Sequence, residues 1–209
     1  MSRRSTLTLA IGGALGVGVA VALVASFGGE SSVAGSGEYR GSKPPGGIAM
    51  SDFTLRTHEG RAVRSADLRG RVTVLTFLDS QCTESCPVIA WTVARTLDSL
   101  TRDERREVSA VAISTDPAED TPRNVRTFLA RNRAVGRLLY VGGAQPEGAL
   151  RDVWNAFKVL SSLESGQDAL HSAPVRIYDR RGVWVATLHA GADLTEANLA
   201  HDIRVALRS

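Results

Sequence analysis

The sequence predicts an α/β domain with a mixed β-sheet flanked by helices, preceded by a single apolar N-terminal helix. Three observations carry this. From residue 72 onward, apolar β-branched runs alternate with segments of helical periodicity, the order that builds a parallel-containing sheet covered on both faces. The alternation ends in two strands turning at Gly182, which adds antiparallel members. Finally, Leu7 to Phe27 carries no charge at all.

Those first residues form an anchor. A helix of that length measures about 31 Å, close to the ~30 Å hydrocarbon core of a bilayer. Arg3 and Arg4 precede it, which places the N-terminus in the cytoplasm and the rest of the chain outside. The run is longer than the core of a signal peptide, so we read residues 1–29 as a retained single-pass anchor in the cell membrane. The small residues of "LVAS" would also suit a peptidase. No cysteine directly follows the run, which excludes a lipid-modified N-terminal cysteine. Either way the C-terminal domain is extracytoplasmic, where oxidised thiols are permitted. Residues 30–47, rich in Gly, Ser and Pro, read as a flexible linker. The folded domain is expected over 48–209.

Within it, "DFTLRT" and "AVRS" suggest a hairpin turning at "HEG". "VTVLTFL" reads as a buried strand. Val88, Trp91, Val93, Leu97 and Leu100 recur near helical spacing after Pro87, and Trp91 and Trp154 are expected in the core. "EVSAVAIS" is the next buried strand. Thr121 as N-cap and Pro122 at the first helical position open a further helix. Asp116, Glu119 and Asp120 are read as capping that helix, with no chemistry of their own. "RLLYVGG" is extended, "PEGALRDVWNAF" helical, "PVRIYD" and "VWVATLHA" a hairpin, and "TEANLAHDIRVALR" a closing helix. This is the thioredoxin arrangement with one helix inserted before the hairpin. Pro174 stands where that fold keeps a cis-proline facing its cysteines, so a cis bond is the expectation to test there.

The chain has two cysteines, Cys82 and Cys86, and Pro87 follows the second. Proline belongs in the first turn of a helix. Cys82 is therefore expected in a loop and Cys86 at a helix start, where the dipole favours thiolate. Three readings stay open: an inert clasp, a redox pair, or a metal grip. The clasp gains little, because so short a loop contributes little closure entropy. Among the histidines, His58 and His201 read as surface and His189 as a strand end. His171 lies in the loop that this fold brings over the cysteine turn. Two thiolates and an imidazole form a soft set suited to copper. The net charge of +3 is scattered arginine with no basic stripe, which gives nucleic-acid binding no support.

"FTLRTHEGRAVRSADLRGRVTVLTFLDSQCTESCP", "VAISTDPAEDTPRNVRTFLA" and "HSAPVRIYDRRG" resemble, in order and spacing, the Sco/SenC family of membrane-anchored copper proteins. Members of that family help assemble the copper centre of cytochrome c oxidase. The resemblance implies copper held by Cys82, Cys86 and His171 and delivered to the oxidase's copper-bearing subunit or another copper protein. Oxidation to a Cys82–Cys86 disulfide would release the metal. Thr83 and Leu170 depart from the family's usual proline and acidic residue. The rival reading is a thiol–disulfide oxidoreductase that uses Cys82 and Cys86 but not His171. A peroxiredoxin-like peroxidase lacks the Thr-x-x-Cys approach it would need.

Overall fold

The structure, a computed structural model, describes residues 38–159 and 173–209. The expected anchor helix over 7–27 and His171 both lie outside them. Among the described residues no helix is long and apolar enough to cross a membrane.

A two-stranded antiparallel hairpin, β1 (Thr54–Arg56) and β2 (Ala62–Arg64), comes first. A five-stranded sheet follows in the order β5-β4-β3-β6-β7. Its centre is β3 (Val72–Leu78), parallel to β4 (Val108–Ser114) from Val72↔Val108 to Leu78↔Ser114. β5 (Leu139–Val141) extends the parallel side. β6 (Pro174–Tyr178) and β7 (Trp184–His189) add the antiparallel side. Every residue of β3 and β4 is buried, which explains why both read as continuous apolar runs rather than alternations.

Alternate residues of β3 serve two cores. Val72, Val74 and Leu78 face α1 (Ser85–Ser99), α3 (Pro122–Arg131) and α5 (Glu196–Arg208). Leu75 and Phe77 face the hairpin and α4 (Glu147–Ala156). Helices on both faces and the mixed sheet are as the sequence predicts. A short helix α2 (Arg102–Arg106) was not expected. Its signal was present in Thr101 and Glu104, which form a reciprocal capping box.

Three expectations need correction. Residues 40–42, read as part of a tether, are bound to the domain. The Arg40 and Gly41 amides donate to the Asp202 carboxylate at 2.7 and 2.9 Å, and Ser42 pairs with Thr187 on the edge of β7. Gly41 is needed there, because a Cβ would lie 2.6 Å from the Thr187 carbonyl. Backbone amides rather than apolar side chains hold this strap, so composition could not reveal it. Trp91 is 43% exposed and Val88 51%. The buried stripe of α1 instead runs through Cys86, Ile89, Ala90, Val93, Ala94 and Leu97, so Trp91 falls on the outer face. Trp154 is buried as expected. The bond before Pro174 is trans, the ordinary X–Pro preference.

The strap gives a first prediction. Asp202 is buried, and its carboxylate takes two backbone amides. Asp202→Ala should cost about 2 kcal/mol, the scale of orphaning buried donors. Urea unfolding reads the loss, and amide exchange at residues 40–42 should accelerate selectively. Unchanged exchange there would mean that the strap is held by other contacts.

Candidate metal centre

β3 ends at Leu78 beneath the turn that carries the cysteines. Cys82 lies in that turn, with its amide donating to the Asp79 carbonyl at 3.3 Å. Gln81 N donates to Asp79 Oδ1 at 2.7 Å. Cys86 is the second residue of α1, as Pro87 implied. Neither cysteine is in a disulfide; Cys82 is half-buried and Cys86 only 7% exposed.

Burial corrects the expected thiolate at Cys86. Desolvation pushes the Cys86 thiol well above its ordinary range. A hydrogen bond with the Asp79 backbone opposes this, and the adjacent Cys82 thiol adds to it. The helix N-terminus does not overcome desolvation in so enclosed a place. A coordinated cation would, since thiols bound to metal deprotonate outright. Burial thus favours the protonated form at Cys86.

Asp120 holds this turn from below, a role that reading it as a helix cap missed. Its buried carboxylate accepts from Ser80 N at 2.8 Å, Ser114 Oγ at 2.6 Å and the Tyr140 hydroxyl at 2.6 Å. Capping falls instead to Thr121, whose hydroxyl accepts from Asn124 N, and Asp116 Oδ1 accepts from Glu119 N. Burial raises the Asp120 carboxyl, against three hydrogen bonds that lower it. Tyr140 OH also lies 2.8 Å from the Leu78 carbonyl, so the network joins the ends of β3, β4 and β5 directly under Ser80. A Cβ on Gly143 would run into the Asp120 carbonyl. Nothing larger than glycine fits against this segment.

Among the described residues, no three His, Cys, Asp or Glu side chains gather as a metal-binding group. The third expected ligand, His171, lies outside them, as does Leu170. His189 closes β7, paired with Pro174, and the His201 ring lies 2.9 Å from the Glu38 carbonyl. Neither is near a cysteine in sequence or ladder. His58 is less exposed than expected: it lines a separate cavity of about 410 Å³, and burial lowers its pKa.

A family model described as SCO1/SenC matches residues 42–208. The chain belongs to the SCO1/SenC family. The match begins at the strap residue that pairs with β7, not at Ile48. A Stutzerimonas stutzeri protein provisionally named as copper-binding is 34% identical over 86 residues, 41% of this chain and 42% of that protein. The chain therefore spans under half the length of that curated relative. Bradyrhizobium japonicum ScoI, solved with copper bound, superposes with a TM-score of 0.61 at 23% identity over 77% of this chain and all of that one. Copper-bound yeast Sco1 gives 0.63 at 20% identity over 80% and 96%. BsSco, described with a disulfide switch and as a member of the Sco family of cytochrome c oxidase assembly proteins, gives 0.63 at 19% identity over 79% and 96%. At these identities the superpositions establish the shared thioredoxin-like fold.

Proposed function

We propose that this protein is an extracytoplasmic copper chaperone, tethered by residues 7–27, that loads a copper protein such as the copper-bearing subunit of cytochrome c oxidase. The observation that carries this reading is the free Cys82–Cys86 dithiol at the start of α1, in a chain of a family whose solved relatives hold copper. Cys82 and Cys86 supply two sulfurs and His171 an imidazole, a donor set of the softness Cu(I) prefers. Binding displaces the thiol protons. The turn held by Asp120 presents Cys82, the more exposed sulfur, to an acceptor, and copper leaves by stepwise ligand exchange. A two-electron acceptor, such as a disulfide that is itself reduced to a dithiol, converts the pair to one S–S bond and leaves no thiolate to hold the metal. Metal loading and thiol state are thereby coupled.

The test is Cu(I) titration of the reduced full-length protein. The parent should take up one equivalent, and Cys82→Ser and Cys86→Ser none tightly. His171→Ala should bind at least ~100-fold more weakly, at or beyond the cost of losing a supporting group. Undiminished uptake by His171→Ala would remove the histidine from the ligand set. Reductase turnover retained in that variant without copper binding in the parent would favour a thiol–disulfide oxidoreductase.

A further inference from the structure

A groove of about 630 Å³ opens beside Cys82, between the cysteine turn and the outer face of α3. Gln81, Cys82, Thr83 and Pro87 line one side, and Arg123, Thr127 and Arg131 the other. The last three recur at i, i+4 and i+8, a stripe about 12 Å long. No carboxylate among the described residues lines the groove. Among the described residues, neither the Arg123 nor the Arg131 guanidinium has an ion-pair or hydrogen-bond partner. Several other surface arginines sit on acids, as in Arg95–Glu196, Arg137–Asp98, Arg180–Glu107 and Arg204–Glu104, whereas Arg123 and Arg131 stand together in the groove that Cys82 lines. Two unmatched cations above a concave wall create a positive potential at the mouth of the site.

The neighbouring surface is equally unlike an ordinary solvated helix. Trp91 lies one turn beyond Pro87 on α1, with Val88 between, and both are exposed. Arg95 stacks over the Trp91 ring at 5.6 Å. Exposed Trp and Arg together mark surfaces that bind other proteins. Pro87, which lines the groove with Cys82, is the chain neighbour of Val88 and so joins the two surfaces.

We propose that the groove docks an acidic, cysteine-bearing segment of a partner polypeptide, aligning its carboxylates on Arg123 and Arg131 and its thiols on Cys82. The inference rests on the transfer reading of the same cysteines and names the chemistry of the acceptor. Charge complementarity of this kind acts chiefly on association rate.

The test needs no copper. Reduced full-length protein, in an uncharged detergent, is mixed with a disulfide-bonded peptide rich in glutamate or with its glutamine counterpart. In the exchange the protein dithiol becomes a disulfide as the peptide disulfide becomes a dithiol, so electrons and protons balance. The glutamate peptide should react about tenfold faster at low salt, and the advantage should fade as salt is added. Arg123→Glu/Arg131→Glu should abolish it. Arg69→Glu/Arg102→Glu, the same charge change at exposed positions outside the groove, should retain it. All forms should react alike with a small uncharged disulfide, which verifies folding and intrinsic thiol reactivity. Equal rates for both peptides in the parent, a preference that survives in the groove variant, or an equal loss in the control would overturn the proposal. So would a parent dimer that the groove variant dissolves, which would assign the groove to a second copy. Cu(I) uptake by the groove variant, measured separately, shows whether the transfer reading stands on its own.

Discussion

Asp120→Ala should destabilise the protein by about 3 kcal/mol, in the tail of single-substitution effects. The Ser80 amide would lose its only acceptor among the described residues while remaining buried, which costs ~1–3 kcal/mol, and the Ser114 hydroxyl would lose its partner. Tyr140 would keep the Leu78 carbonyl, so its share is smaller. The pH dependence identifies the cause. Burial is the largest influence on Asp120 and raises its pKa, so the native state binds this proton more tightly than the unfolded chain does. Its contribution is complete below the unfolded value of about 4 and is lost as pH rises through the folded pKa. Asp98 and Glu104, lowered by their arginines, act in the opposite sense, so the parent alone gives a mixed profile. The informative quantity is the stability of the parent minus that of Asp120→Asn, from urea unfolding between pH 4 and pH 7. It should be greatest near pH 4 and shrink toward neutrality. A difference that grows with pH would mean that the three hydrogen bonds outweigh desolvation.

What the sequence revealed, and what it did not, divides along physical lines. β3 and β4 were legible because a strand buried on both faces has no polar alternation to disguise it. The start of α3 was legible because Thr121 and Pro122 are local signals that tertiary structure rarely overrides, and Pro87 placed Cys86 for the same reason. Features that depend on distant partners were not legible. The strap at Arg40 to Ser42 is held by the Asp202 carboxylate and by Thr187, about 150 residues away in the chain, and its Gly–Ser composition is equally that of a linker. Asp120 looked like a helix cap because nothing local shows that Tyr140 and Ser80 close over it. At Cys86, helix position and burial oppose one another, and only the packed structure decides between them. Trp91 shows the limit of periodicity: a shift of one position along α1 moves a side chain from core to surface.

The same dependence on distant partners makes Arg176 the second large expectation. It lies in the middle of β6, 8% exposed, with no carboxylate partner among the described residues. Its Nη1 donates to the Phe157 carbonyl at 2.8 Å, and the guanidinium lies 4.5 Å from the Trp184 ring centre and 5.8 Å from that of Phe77. Among the described residues its neighbours are these rings and one carbonyl, and cation–ring contacts are worth up to ~2 kcal/mol when desolvated. Phe157 closes α4 and Arg176 belongs to β6, so this bond ties the two elements that flank the segment bearing His171. Arg176→Ala should therefore cost about 3 kcal/mol, from the orphaned carbonyl, the lost ring contacts and the cavity left by its stem. Arg176→Met fills the space without a buried charge and should recover most of the loss, as apolar replacements of buried ions do. Urea unfolding orders the three proteins, and a methionine variant no better than alanine would show that the charge rather than the packing stabilises the site. If His171 is a copper ligand, Arg176→Ala should also weaken Cu(I) uptake several-fold while alkylation of Cys82 proceeds at the parent's rate. Loosening the elements that anchor one ligand leaves the dithiol turn, held independently by Asp120, as it was.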